Sequence, residues 1–272
     1  MCHLRFTSLA FLAGAFLSPA VAEDRINLHL TGPAGPYTVA AWKNDWPGCG
    51  WQDGIKEGNV SVVERAGHLR LRVDYQPGEI GPEKSGCGWR FPVGTHESAE
   101  LRYTVRFSPD FEWVKGGKLP GLCGGPENVS GGRPADGTNG FSARLMWRAD
   151  GKGEAYLYHK NQPDKYGDRV DFPGDFRFPV DTDIRVRMRV TMNDPGRKNG
   201  KLQVWIRTGE DENAPEREVV HRTDLEWRTV SSFGIDSLYF ETFYGGSDHS
   251  WAPKQASWAE FGGFSVDIGE KE

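Results

Sequence analysis

The feature that most constrains the fold of this chain is a series of short segments in which apolar and polar residues alternate. In HLRLRVDY (68–75), leucine or valine alternates with arginine or aspartate. Successive side chains of a β-strand point to opposite faces, so this pattern predicts strands with one buried face. Further segments of this kind are NVSVVE, ELRYTVRF, FSARLMWR, IRVRMRVTM, KLQVWI and SLYFETF. Turn residues separate them and long amphipathic helical stretches are lacking, so we predict an all-β, antiparallel β-sandwich.

The first 22 residues, MCHLRFTSLAFLAGAFLSPAVA, have a positive start, an apolar run and a small-residue AVA end. This is the pattern of a secretory signal peptide, so we expect residues 1–22 to be removed and the mature protein to be secreted or periplasmic. The apolar run is too short to cross a bilayer, and we expect no membrane partner. We expect residues 23–272 to form a single domain, because they contain no repeat or linker that would divide them.

Charge and cysteine usage narrow the function classes further. The net charge of −5 argues against general nucleic-acid binding. Cys49 and Cys87 occur in the matching contexts PGCGW and SGCGW. In an oxidising compartment we expect them to form a disulfide, which leaves Cys123 as a free, buried thiol. There is no CxxC motif and we expect no zinc site.

A predicted hairpin, GFSARLMWRADGKGEAYLYHK (140–160), carries an unusual set of polar side chains. Strand alternation places four candidates on one face: Ser142, Arg144, Tyr156 and Tyr158. A three-residue loop, 150–152, would pair Arg148 with Glu154 and Arg144 with Tyr158, and opposite charges favour that register. The face is either an ordinary solvated sheet surface or the wall of a binding cleft.

The segment WVKGGKLPGLCGG favours the cleft. It places Lys115 and Lys118 among glycines, beside an apolar Leu-Pro-Gly-Leu. Residues 113–160 contain seven Lys or Arg and four Asp or Glu, in a protein that is acidic overall. A positive cleft in an acidic protein predicts an anionic ligand. GGKLPG lacks the spacing of a phosphate-binding P-loop, and GxSxG does not occur.

Four segments in order, KGGKLPGL, GFSARLMWR, GEAYLYHK and YFETFYGGSDHSWAP, resemble polysaccharide lyase family 14, the family of alginate and glucuronan lyases. The resemblance covers roughly residues 100–265. It implies a β-jelly roll that cleaves a uronic-acid polymer by β-elimination. It also implies functional roles for five residues, which are Lys118, Ser142, Arg144, Tyr156 and Tyr158.

For this reaction, Lys118 and Arg144 can neutralise the substrate carboxylate, and Tyr156 or Tyr158 can act as base and acid. Neighbouring cations favour a phenolate, so we expect a lowered tyrosine pKa and an alkaline optimum. Ser142 is expected to donate a hydrogen bond to the sugar. Further substrate-binding candidates are Lys115, Arg148, Lys160, His249 and Trp251.

Other expectations complete the hypothesis. No cofactor is required, although Asp248 could contribute to a structural calcium site. The partner is an anionic polysaccharide, and the protein is expected to be a monomer. Two alternatives remain open: a non-catalytic carbohydrate-binding module of the same fold and, with less support, a glycoside hydrolase, for which paired carboxylates are not evident.

Overall fold

The structure, a computed structural model, describes residues 24–209, 211 and 213–269, so the predicted signal peptide (1–22) lies outside the described residues. Strands dominate this part of the chain. They are β1 (Asp24–Asn27), β2 (Gly35–Pro36), β3 (Val60–Arg65), β4 (His68–Tyr75), β5 (Gly86–His96), β6 (Ser98–Phe107), β7 (Gly116–Gly124), β8 (Phe141–Arg148), β9 (Gly153–Tyr158), β10 (Asp168–Asp171), β11 (Ile184–Thr191), β12 (Gly200–Thr208), β13 (Arg217–Leu225), β14 (Ile235–Tyr244) and β15 (Ser257–Gly269).

The strands form two antiparallel sheets, which confirms the predicted fold class. The nine-stranded sheet has the order β13-β12-β11-β6-β15-β4-β3-β2, and β1 pairs with β15. The six-stranded sheet has the order β10-β9-β8-β7-β14-β5. Neighbours such as β7 and β14 are distant in sequence, as expected for a jelly-roll type of sandwich.

The core lies between the sheets and is rich in aromatic side chains. Trp89 of β5 stacks on Phe240 of β14 with ring centres 4.4 Å apart. The only α-helix among the described residues, α1 (Val39–Asp45), is capped by the Thr38 hydroxyl, which accepts from the Ala41 N–H. Trp42 at this helix packs edge-on against Trp89. Within the described ranges, no helix is long and apolar enough to cross a membrane.

The predicted hairpin forms, but its predicted register is wrong. The last pair of the hairpin is Trp147 with Gly153, so five residues (148–152) lie between the partners, two more than in the expected loop; they include a 3₁₀ turn, Ala149–Gly151. Arg144 therefore pairs with Tyr156, and Ser142 pairs with Tyr158. The register moves by two positions, which preserves the assignment of side chains to faces. Arg148 still reaches Glu154 diagonally, with 2.5 Å between Nη2 and Oε1.

The predicted disulfide between Cys49 and Cys87 is absent, because both cysteines are free in the structure. Cys87 is buried in β5, close to Tyr75 of the core. Cys49 follows α1 and lies close to Tyr37 instead. The two cysteines therefore have different neighbours in the fold, although their sequence contexts match. Cys123 is free and buried, as predicted.

Candidate active site

A cleft of about 950 Å³ lies on the face of the six-stranded sheet that points away from the core. Strands β7, β8, β9 and β14 supply its floor through Lys118, Met146, Tyr156 and Glu241. Alternation explains the placement, since the residues between them, such as Leu145 and Leu157, face the core. One sheet thus supports the core on one face and a polar cleft on the other.

The segment between β7 and β8 (125–140) closes one side of this cleft. Its Val129 and Ala135 form a second, smaller hydrophobic cluster with Met146, Tyr156 and Tyr158. This packing holds the polar groups of the segment at the cleft wall, where Asn128, Ser130, Gly131 and Arg133 are found.

Lys118 is buried in the cleft floor, with only 9% of the residue exposed. Its Nζ donates to Met146 Sδ at 2.8 Å and lies 3.5 Å from the centre of the Tyr156 ring. Burial lowers the pKa of Lys118 well below the usual lysine value, and the positive charges of Arg144 and Arg148 lower it further. A neutral amine with a free electron pair is therefore accessible at lower pH than for an ordinary lysine, which suits a general base.

The two tyrosines have oxygens that accept backbone hydrogen bonds. Tyr156 accepts from the Gly167 N–H at 3.1 Å, and Tyr158 accepts from the Gly132 N–H at 3.0 Å. Accepting these bonds does not use the hydroxyl proton of either side chain. Burial raises the pKa of Tyr156, and Tyr158 beside it raises it further. The expectation of a lowered pKa is wrong for Tyr156, because loss of solvation outweighs the nearby cations; it fits a proton donor better than a base.

Arg144 is fully buried and is already paired. It forms an ion pair with Glu241, and its Nη2 donates to Ser130 Oγ at 2.5 Å. Its guanidinium also lies 4.5 Å from the centre of the Tyr239 ring. These contacts leave Arg144 below the cleft surface and outside the cleft lining.

Ser142 is likewise unavailable as a surface donor. It is buried, and its hydroxyl donates to the Val129 carbonyl at 2.8 Å. This bond ties β8 to the segment that closes the cleft. The structure thus places the Ser142 hydroxyl behind the cleft wall, whereas a direct sugar contact would need it exposed.

Arg148 and Arg169 present positive charge at the cleft and share one buried carboxylate. Glu154 is fully buried and accepts from Arg148 Nη2 at 2.5 Å and from Arg169 Nε at 2.9 Å. Charge-assisted hydrogen bonds of this kind fix the orientation of both guanidinium groups. Their remaining N–H groups are suited to binding a carboxylate.

The other predicted substrate contacts divide into two groups. Trp251 lines the cleft, packed flat on Gly246. Lys115 lies at its edge, where its Nζ donates to Ser250 Oγ at 2.5 Å and lies 5.8 Å from the Trp251 ring centre. Lys160 and His249 are exposed and lie outside the cleft lining.

The predicted calcium ligand, Asp248, has a local structural role. Its carboxylate accepts from the Ser250 N–H at 2.8 Å and so caps the 3₁₀ turn His249–Trp251. Among the residues that the structure describes, no group of three or more His, Cys, Asp or Glu side chains is placed to hold a metal ion.

Sequence reasoning missed several residues that the fold brings to the cleft. Glu241 and Tyr239 alternate on β14 within YFETFY, and a lone acid on an aromatic strand was a usable signal. Tyr166 and Arg169 lie outside the segments singled out from the sequence, and nothing in their local sequence marks them. Trp51 ends the PGCGW segment, which was considered only for its cysteine.

Comparisons with known proteins agree with this geometry. The model of the polysaccharide lyase 14 family matches residues 64–264. A search of curated protein sequences gave no match.

Among solved structures, the alginate lyase Aly36B is 25% identical with a TM-score of 0.77, and the match covers 93% of this chain and 100% of that one. A variant of Aly36B has been solved in complex with an alginate tetrasaccharide. The alginate lyase of Aplysia kurodai is 24% identical with a TM-score of 0.77, covering 92% of this chain and 100% of that one. The endo-β-1,4-glucuronan lyase of Trichoderma reesei is 13% identical with a TM-score of 0.53, covering 90% and 95%.

Proposed function

This chain belongs to the polysaccharide lyase 14 family, and we propose that it cleaves alginate at mannuronate residues in the cleft of its six-stranded sheet. Family membership and the matching alginate lyases make it a polysaccharide lyase, in preference to a binding module or a glycoside hydrolase. The observation that carries the mechanism is Lys118, a buried amine of lowered pKa beside the Tyr156 ring.

The reaction is a β-elimination. A base takes the C5 proton, the C5–H electrons form a C4=C5 double bond, and the C4–O4 bond breaks with its electrons moving to O4. A donor then supplies the proton that O4 needs to leave as a hydroxyl. Negative charge develops on the carboxylate at C5, so fixed positive groups there stabilise the transition state.

The cleft offers a group for each requirement. Neutral Lys118 is the base, and Tyr156, which burial keeps protonated, donates to O4. Arg148 and Arg169, held by Glu154, are placed to bind the carboxylate. Both arginines are therefore proposed to bind substrate and to stabilise the developing charge.

Arg144, Ser142 and Tyr158 support this arrangement from below. Arg144 fixes Glu241, and Ser142 and Tyr158 hold the 125–140 segment through Val129 and Gly132. Their proposed role is to keep the cleft in shape.

The placement of base and acid also bears on the substrate. Lys118 and Tyr156 project from the same sheet face, so both approach the sugar ring from one side. In mannuronate and glucuronate, H5 and O4 lie on the same side of the ring, whereas in guluronate they lie on opposite sides. The geometry therefore favours polymannuronate or glucuronan over polyguluronate. Similarity to Aly36B supports alginate as the first choice.

We propose that the mature enzyme begins at Glu23 and acts as a secreted or periplasmic monomer, where it meets polymeric substrate. It is proposed to need no metal, since Lys118, Arg148 and Arg169 already supply the base and the positive charge. Activity is expected to survive treatment with a chelator.

The test is to incubate the protein separately with polymannuronate, polyguluronate and glucuronan, and to follow the ultraviolet absorbance of the new double bond. We expect the fastest rise with polymannuronate and little with polyguluronate. New reducing ends without a double bond would contradict elimination. A preference for polyguluronate would contradict the same-side geometry.

A further inference from the structure

Two large hydrophobic side chains stand out on the surface of the described residues. Trp51 is 37% exposed and Tyr166 is 52% exposed, and every other large hydrophobic residue in the described ranges is more buried than these two. Both line the same cleft. Exposure of large aromatic surface costs free energy in water, so its restriction to one cleft points to a ligand.

Trp51 stands at one edge of the six-stranded sheet. Two residues later, the backbone of Asp53 forms a bridge with Gly88 of β5, with N–H to carbonyl distances of 2.9 and 3.2 Å. Strand β5 is the last strand on that side. Trp51 also lies ahead of residues 64–264, so it is not part of the segment that matches the family model.

Tyr166 stands at the opposite edge. It is followed at once by Gly167 and β10, which is the last strand on the other side. Its N–H donates to Asp164 Oδ1 at 2.8 Å, and its carbonyl accepts from Gln162 Nε2 at 3.2 Å. The exposed ring is therefore carried by an anchored backbone.

The path from Trp51 to Tyr166 crosses all six strands of the sheet, and the strand pairing gives its length. Glu241 of β14 pairs with Gly88, Lys118 of β7 pairs with Met146 of β8, and Arg169 of β10 pairs with Tyr156 of β9. Six strands have five gaps of about 4.8 Å, which gives a path of about 24 Å across the sheet. The proposed catalytic groups lie between the ends of this path.

We propose that Trp51 and Tyr166 are stacking platforms for sugar rings at the two ends of the cleft, so that the enzyme holds a uronate chain of several sugars and cleaves within it. This inference rests on the proposed function and adds binding positions and a cleavage mode to it. Aromatic rings present flat apolar faces that match the C–H faces of sugars, while arginines between them bind the carboxylates. Because both platforms are open to solvent, the chain can extend past either end.

The test measures kcat and KM of the full-length protein on long polymannuronate and on the shortest mannuronate oligosaccharide that the wild type cleaves. In Trp51→Ala and Tyr166→Ala, we expect the polymer-to-oligosaccharide ratio of kcat/KM to fall about tenfold, which equals about 1.4 kcal/mol. The fall should come from KM on the polymer. Trp51→Phe and Tyr166→Phe keep a ring and should restore most of the ratio.

Trp205→Ala is a matched control, because Trp205 lies on β12 of the other sheet and is covered by Arg187 at 3.7 Å. It should keep the wild-type ratio. Wild-type early products should be mixed in length, as internal cleavage requires. An unchanged ratio in both alanine variants, or release of a single short product from the start, would overturn this inference and leave the lyase function intact. No unsaturated product from any uronate polymer would overturn the proposed function, and this inference with it.

Discussion

Lys118 and Tyr156 show how burial sets the chemistry of single residues in this cleft. Both lose solvation, which disfavours the charged form of each. The pKa of the lysine therefore falls and that of the tyrosine rises, so a neutral amine and a neutral phenol coexist at every pH between the two pKa values. That pair is the protonation state in which elimination can proceed with lysine as base and tyrosine as acid.

Replacement of Tyr156 by phenylalanine tests the acid directly. The ring and its contact with Lys118 remain, but the proton donor is lost, so kcat should fall by about 10²–10⁴-fold with a smaller change in KM. Steady-state kinetics on polymannuronate provide the measurement.

Tyr37→Phe is the matched control, because Tyr37 donates to Asp45 Oδ2 at 3.0 Å beside α1 and is absent from the cleft lining. It should retain activity. Near-normal kcat in Tyr156→Phe would assign the acid to another group.

At the scale of elements, the cleft floor depends on a glycine in β7. Gly121 is the partner of Arg144 on one side and of Tyr239 on the other. A Cβ at this glycine would lie 1.9 Å from the Ala143 carbonyl oxygen. The backbones of β7 and β8 therefore approach too closely at Gly121 to admit a side chain, and Arg144 beside it pairs with Glu241 of β14. One buried ion pair thus connects β8 and β14 across the intervening β7.

Breaking the ion pair between Arg144 and Glu241 should lower the stability of the protein. Arg144→Met leaves Glu241 without its partner, and we expect a loss of about 3–5 kcal/mol in the free energy of unfolding. Arg144→Met with Glu241→Gln removes both charges and should recover part of that loss. Urea unfolding of the three proteins provides the comparison, and equal stability of the single and double variants would contradict the pairing.

The same strands show which features of the fold can be predicted from sequence patterns and which cannot. Alternation identified strands such as His68–Tyr75 correctly and placed Tyr156 on the cleft face. It could not fix the hairpin register, because the length of the turn at Ala149–Gly151 depends on local backbone geometry. It also could not show that Arg144 is paired, since Glu241 lies on a strand almost a hundred residues away.

At the scale of the whole molecule, the sandwich is held together by packing between sheets without a covalent link among the described residues. Cys49, Cys87 and Cys123 are all free. The matching sequence contexts of Cys49 and Cys87 had predicted a disulfide. That prediction was wrong because two similar motifs do not reveal the distance between them in the fold. The platforms at Trp51 and Tyr166 were missed for a related reason: each is brought to the cleft by a loop whose position depends on edge strands.

Because all three of these cysteines are free, their thiols should react without prior reduction. Alkylation of the denatured protein without a reducing agent should modify both Cys49 and Cys87, and a reducing agent should leave the melting temperature unchanged. Mass spectrometry of the peptides reports the modification. If neither cysteine can be alkylated until a reducing agent is added, the two are joined by a disulfide and this prediction is wrong.

The most direct test of the central claim is the pH dependence of kcat on polymannuronate, for the wild type and for Lys118→Ala with and without an added small primary amine. A base works when it is unprotonated, so wild-type kcat should rise as pH increases through the lowered lysine pKa, and should fall only when Tyr156 loses its proton above the usual tyrosine pKa. Lys118→Ala should lose most of its activity while folded, and the amine should restore part of it. Activity in Lys118→Ala within a few-fold of wild type, with the same pH profile, would contradict the assignment of Lys118 as the base.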